Sequence, residues 1–173
     1  MTDDPTVLRT LHESLRAGRF EGNVYGLLHR FGNAGFVEAQ PTVELFLSSA
    51  DPQLRYIALN VLVLHWNMPT YQHECLRMLD SDPDEDVRRL AARCVGTLFS
   101  DTRSADALSA LLKVIVNDGI DADIRAAAYT SLLEVLGAPP SEWRTKPSLQ
   151  WPNDVRRERV REAQAIVVDS YRS

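Results

Sequence analysis

Three stretches of the chain carry the same alternation of apolar and polar positions: DPQLRYIALNVLVLH at 51–65, DEDVRRLAARCVGTL at 84–98 and DADIRAAAYTSLLEV at 121–135. Counted from Leu54, Val87 and Ile124, apolar or small residues return at +3, +4, +7, +8 and +11. In the second stretch these are Leu90, Ala91, Cys94, Val95 and Leu98. In the first they are Ile57, Ala58, Val61, Leu62 and His65, and in the third Ala127, Ala128, Ser131, Leu132 and Val135. A helix turns about 100° per residue, so this spacing collects every marked position into one stripe. Each stretch therefore predicts an α-helix with one buried face. Asp51-Pro52 and Asp82-Pro83 supply helix starts, an N-cap acceptor before a proline whose missing N–H costs nothing there. Glu85, three residues after Asp82, adds a capping-box partner.

Another apolar segment precedes each stretch: Val43, Phe46 and Leu47; then Cys75, Leu76 and Leu79; then Leu108, Leu111, Leu112 and Ile115. The pattern is helix, polar turn, helix, three times over. Each second helix opens with Asp (Asp51, Asp84, Asp121) and has Arg four residues on (Arg55, Arg88, Arg125), with the arginines 33 and then 37 residues apart. Periods of this size mark stacked supersecondary units. One such hairpin cannot bury both faces, so its neighbours must complete the core. The expectation is an all-α solenoid of about four hairpins plus a C-terminal helix, forming a single domain over 1–173.

The Asp-x-x-(Val/Leu/Ile)-Arg-x-x-Ala pattern at 51–58, 84–91 and 121–128 resembles the second-helix signature of HEAT repeats, over about residues 36–137. The resemblance implies a right-handed superhelix whose second helices line a concave face. It also implies a polar ladder between successive repeats, here carried by Asp51, Asp84, Asp121, Arg55, Arg88 and Arg125.

The flanks depart from the pattern. Residues 1–35 read as a degenerate N-terminal hairpin, with helices over 5–18 and 20–31, a cap at Asp4-Pro5 and no Asp–Arg pair. Residues 138–173 read as a proline-rich irregular connection and a capping helix over about 154–171, which offers Val160, Ala163, Ile166 and Val167 for burial. Trp143 and Trp151 in that connection are expected to pin it to the last repeat. Trp66, aligned with Phe99 and Leu136, reads as structural.

Candidate chemistry is sparse. His65 falls in the +11 core column and is expected to be partly buried and hydrogen-bonded. His73 and Cys75, two apart on a helix, point in different directions and make no metal pair. Cys94 shares its column with Val61 and Ser131, which marks it as a small core filler. The acidic run from Asp80 to Asp86 lacks the glycine and distal glutamate of a calcium loop, and suits the start of a helix instead. No nucleophile elbow, phosphate-binding loop, dinucleotide fingerprint or zinc-protease motif occurs in the sequence. No catalytic residue, metal or cofactor is expected.

The 173 residues, 45% hydrophobic and 25% charged, suit a folded globular chain. A net charge of −5 argues against nucleic acid as the main partner and favours a basic protein. No stretch approaches the roughly 20 apolar residues that span a bilayer. The acidic, mixed start MTDDPTVLRT is unlike a secretory signal, and the two cysteines form no CxxC pair, so the expected location is the cytoplasm.

The remaining functional positions are those at +2 and +6, away from the core stripe. They are Tyr56 and Asn60, then Arg89 and Arg93, then Ala126 and Thr130. Tyr56, Asn60, Arg89, Arg93 and Thr130 are the expected partner-binding residues, since arginine and tyrosine are enriched at binding hot spots. The expected function is a non-catalytic protein-binding module: an adaptor, an inhibitor of the immunity type, or an assembly factor. The resemblance leaves two alternatives, a nucleic-acid-binding or DNA-repair protein and a tetrapyrrole-lyase-like subunit. The first would need a basic groove with an aromatic and a carboxylate in a pocket, the second a bound pigment.

Overall fold

The computed structural model describes residues 4–143 and 150–172, and every regular element in them is helical. These residues fall into two compact units, one ending at Tyr71 and the other starting at Gln72.

The first unit holds two hairpins. Helix α1 (Pro5–Arg16) is capped by Asp4, whose carboxylate accepts from Thr6 N at 2.8 Å. Helix α2 (Val24–Asn33) is capped by Asn23. The next first helix is short: α3 (Gln40–Glu44) is flanked by 3-10 turns at Val37–Ala39 and Leu45–Ser48. Helix α4 (Pro52–Leu59) starts at Asp51 as the pattern requires, with the carboxylate accepting from Gln53 N. It buries Ile57 and Ala58, and the turn that continues it buries Val61 and Leu62, while Leu54 is only half-buried. Gly32 lets α2 approach this helix closely, since a Cβ there would lie 2.9 Å from Val61 Cγ2.

The helix containing α4 does not stay α-helical. Asn60–His65 forms a π-helical turn, which takes in more residues per turn and slips the apolar stripe out of register. The +11 position is lost in consequence. His65 is exposed and makes no hydrogen bond among the described residues, contrary to expectation; its ring meets His29 edge-on at 6.0 Å. Trp66, the next residue, takes over as the covered side chain, half-buried with its indole nitrogen shut off from solvent.

The second unit stacks two hairpins and a final helix. Helix α5 (Gln72–Ser81) pairs with α6 (Glu85–Leu98), and α7 (Ala105–Val116) with α8 (Ala122–Leu136). First helices pack side by side, α5 on α7, and second helices likewise, α6 on α8. On α6, Val87, Leu90, Ala91, Cys94 and Val95 are all at most 1% exposed, each larger one worth roughly 1.5–3 kcal/mol of burial. The cap of α6 is Asp84, accepting from Val87 N at 3.0 Å, and not Asp82. Asp82 is buried and braces the turn by accepting from Asp84 N.

The conserved-looking Asp and Arg positions tie hairpins rather than repeats. Asp84 and Asp121 cap their own helices. Arg88 donates to the carbonyls of Asp82 and Pro83, at 2.8 and 3.3 Å, and Arg125 to that of Ile115 at 3.0 Å. Arg55 does the same to Ser49 and Ala50, at 2.9 and 3.2 Å. These carbonyls end the preceding helix or form the turn after it, where no further helical N–H is available to satisfy them. Within the second unit, then, the ladder implied by the resemblance is replaced by a clamp inside each hairpin.

Helix α8 is buried on more than one face. Beyond the expected stripe it covers Ala126, Tyr129, Leu133 and Leu136, a second row at helical spacing. Residues from the C-terminal segment reach this helix: Tyr129 Oη accepts from Arg156 N at 2.9 Å, and Trp151 lies under the Arg125 guanidinium at 4.5 Å. Helix α9 (Arg157–Ser170) starts three residues later than the sequence suggests and packs mainly on α7. Ala163 is fully buried, and Val160, Ile166 and Val167 are half-buried. The middle of the proline-rich connection, 144–149, lies outside the described residues.

Candidate docking surface

The α6 helix presents two faces of opposite character because Asp84 fixes its start and the apolar stripe fixes its rotation. With Val87, Leu90, Ala91, Cys94 and Val95 turned inward, Asp86, Arg89, Arg93 and Thr97 form an exposed line down the other side, continued by Ser100. Arg89 is tied one turn back to Asp86, 2.6 Å from guanidinium to carboxylate. Arg93 makes no ion pair or side-chain hydrogen bond among the described residues. It is thus an unpaired cation among the described residues, and no acidic residue lies three or four places from it in the sequence.

The expected site residues do not behave alike. Thr130 on α8 is half-buried, and its hydroxyl donates back to Ala126 O at 3.0 Å. Ala126, in the same column as Arg89, is buried. Tyr56 and Asn60 are half-buried in the first unit, at the end of α4 and the first position of the π-helical turn. Neither has a side-chain hydrogen bond among the described residues. In the second unit the structure brings Arg89 and Arg93 onto one exposed line, with Thr130 on the helix packed beside them.

The line on α6 leads into a cavity of about 450 Å3 that sequence reasoning missed. Thr97, Ser100 and Asp101 form one wall, Glu134 and Gly137 another, and Pro139, Pro140 and Trp143 the third. Its shape follows from local backbone. Gly137 ends α8 in the left-handed conformation at φ 72°, and Asp101 is left-handed too at φ 60°. Asp101 N and Arg103 N each donate at 3.0 Å to the last carbonyls of α8, those of Glu134 and Val135. Arg103 adds a guanidinium bond to Leu136 O and an ion pair with Glu162 at 2.7 Å. Trp143 is fixed through Nε1, which donates to Ala138 O at 3.2 Å. The Asp101 carboxylate has no partner among the described residues. The signal for this cavity was the Gly-Ala-Pro-Pro run and Trp143, which read only as a connection.

The cysteines and histidines weighed in the sequence are held apart or buried in the second unit. Cys75 and Cys94 are both fully buried, and the Cys94 thiol is pushed up by its contact with the Cys75 thiol and then by burial. His73 is exposed while Cys75 is not, so they face apart. Among the described residues no group of three or more His, Cys, Asp or Glu could hold a metal ion. Nor is any described helix long and apolar enough to cross a membrane.

Against known proteins, one family model matches, that described as HEAT repeats, over residues 39–133. The matched span covers the hairpins α3–α4, α5–α6 and most of α7–α8. No curated protein and no solved structure gives a match.

Proposed function

Because this chain belongs to the HEAT-repeat family, whose repeats generally mediate protein–protein interaction, we propose that it is a non-catalytic protein-binding module, acting as an adaptor, inhibitor or assembly factor. Its docking surface is the outer line of α6, with Arg89 and Arg93, together with Thr130 and the cavity at the helix end; Tyr56 and Asn60 serve the same role in the first unit. The observation that carries this reading is Arg93, an exposed cation near a cavity lined by the Asp101 carboxylate, neither of them with a side-chain partner among the described residues. Isolated charges of this kind cost nothing in water and gain a partner only on association.

The cavity also supports a choice of partner chemistry. Asp101, whose carboxylate has no partner among the described residues, and the Trp143 indole both line it. A carboxylate and an aromatic together suit a lysine or arginine side chain. A basic partner, favoured by the net charge of −5, would place one cationic side chain in the cavity and an acidic or hydrogen-bonding group at Arg93.

The test is affinity capture from the source cell with wild type and with the double variant Arg89→Glu, Arg93→Glu. Wild type should recover a stoichiometric protein, and the variant should bind it about a hundredfold more weakly. Helicity by circular dichroism should be unchanged, because both side chains are exposed. Equal recovery by both proteins would reject this surface.

A further inference from the structure

A second cavity, about 440 Å3, lies in the first unit between α1 and the α3 segment. It is formed by first helices and owes nothing to the second-helix surface described above. Leu15 from α1 and Leu45 and Phe46 from the turn after α3 give it apolar walls. Leu45 is 74% exposed, a large aliphatic side chain left standing at the rim.

The polar groups of the groove are nearly all satisfied. His12 is buried, and its Nε2 lies 2.7 Å from Thr42 Oγ1. Its ring is wedged edge-on against Phe31 and Phe36, at 5.8 and 5.9 Å. Burial, and then the nearby Arg16 charge, hold the imidazole below its ordinary pKa. Glu38 is neutralised by a two-pronged bond from Arg9, at 3.2 and 3.0 Å. Arg16 alone among the lining charges has no hydrogen bond or ion pair within the described residues. In a chain of net charge −5, this groove therefore presents apolar walls with one unspent positive charge.

We propose that the groove between α1 and α3 is a docking site for an acidic segment of a partner protein, which lays a bulky apolar side chain on Leu45 and Phe46 and brings a neighbouring carboxylate to Arg16. A peptide fits better than a small free acid because Leu45 projects from the rim. A molecule filling only the groove would leave the outer side of that residue in water, whereas a chain passing over the rim covers it. The volume of about 440 Å3 leaves room for a large side chain together with the backbone that carries it, and a carboxylate at a guanidinium gains a charge-assisted bond.

The experiment is an NMR titration of the full chain, labelled at leucine methyls and histidine rings. The probe is a short N-acetylated, C-amidated peptide with leucine and phenylalanine flanked by glutamates; its counterpart has lysines in place of the glutamates. The acidic peptide should shift the Leu45 methyl and His12 ring signals saturably. Arg16→Glu should weaken that binding about tenfold, while Arg93→Glu leaves it unchanged, which separates this site from the α6 surface. The proposal is overturned if the lysine peptide binds as tightly, if neither peptide moves these signals, or if Arg16→Glu binds like wild type. It is overturned also if phenylbutyrate reproduces the shifts and the peptide does not, which would assign the groove to a small free acid.

Discussion

Gly96→Leu is expected to destabilise the second unit by about 3 kcal/mol. Gly96 sits where α6 packs tightly on α8. A Cβ built there lies 2.6 Å from Glu134 Oε2 and 2.8 Å from both Ser131 Cβ and Oγ. The glutamate can swing aside. Ser131 cannot, because its Cβ is fixed to the α8 backbone and the residue is 2% exposed. Any side chain at 96 must then push apart the two second helices, which carry much of this unit's core. Close-packed interiors do not absorb such a displacement locally. Urea unfolding should show a lower midpoint, with Gly96→Ala intermediate between leucine and wild type. An unchanged midpoint for the leucine variant would mean that α6 and α8 do not meet at this point.

Arg125→Ala should cost about 2 kcal/mol, and Arg125→Lys should recover less than half of it. The arginine does three things that one guanidinium can do at once. It donates through Nε to Ile115 O at 3.0 Å, pairs with Asp118 at 2.8 Å, and lies over the Trp151 ring at 4.5 Å. Its side chain is only 14% exposed, whereas Asp118 is 93% exposed, so the ion pair itself contributes little. The larger share comes from the carbonyl at the end of α7, which would lose its donor at roughly 1–3 kcal/mol, and from the ring contact, about 0.5–1 kcal/mol. Lysine keeps the charge but lacks the planar fork that reaches a carbonyl and covers a ring together. A lysine variant as stable as wild type would show that charge alone matters here. Tryptophan fluorescence alongside the unfolding curve would report whether Trp151 has left its place.

The core of the fold was legible because its signal is periodic. Ile57, Ala58, Leu90, Ala91, Cys94, Val95, Ala128 and Leu132 are all buried as the stripe requires, and the HEAT resemblance agrees with the family match. The failures occur where an interaction depends on something other than period. At His65 a π-helical turn adds to the residue count, and nothing in the local run Asn60–His65 announces it. On α8, Ala126 was expected away from the core but is buried, and Tyr129 outside the stripe is held by Arg156 N of a C-terminal segment that has no periodicity to read. The arginines at 88 and 125 were placed correctly on their helices but given the wrong partners, because a side chain's reach to a carbonyl depends on turn geometry.

The proposed docking surface was legible in part for the same reasons. Positions Arg89 and Arg93 follow directly from the orientation of α6, so their exposure could be anticipated. That Arg89 is tied to Asp86 while Arg93 stands free among the described residues was also open to reading, since Arg89 has Glu85 and Asp86 one turn back and Arg93 has no acidic residue three or four places away. The cavity beyond them arises from two left-handed residues, Asp101 and Gly137, brought together across a loop and a helix end. Gly137 hinted at a helix stop, but no pattern pointed to Asp101.

The most direct test of the second-helix docking surface is amide hydrogen exchange with and without the captured partner bound. The account predicts added protection along α6 around Arg89 to Thr97 and in the loop at Ser100 and Asp101. Exchange there that is the same in free and bound protein, with protection appearing only elsewhere, would contradict it.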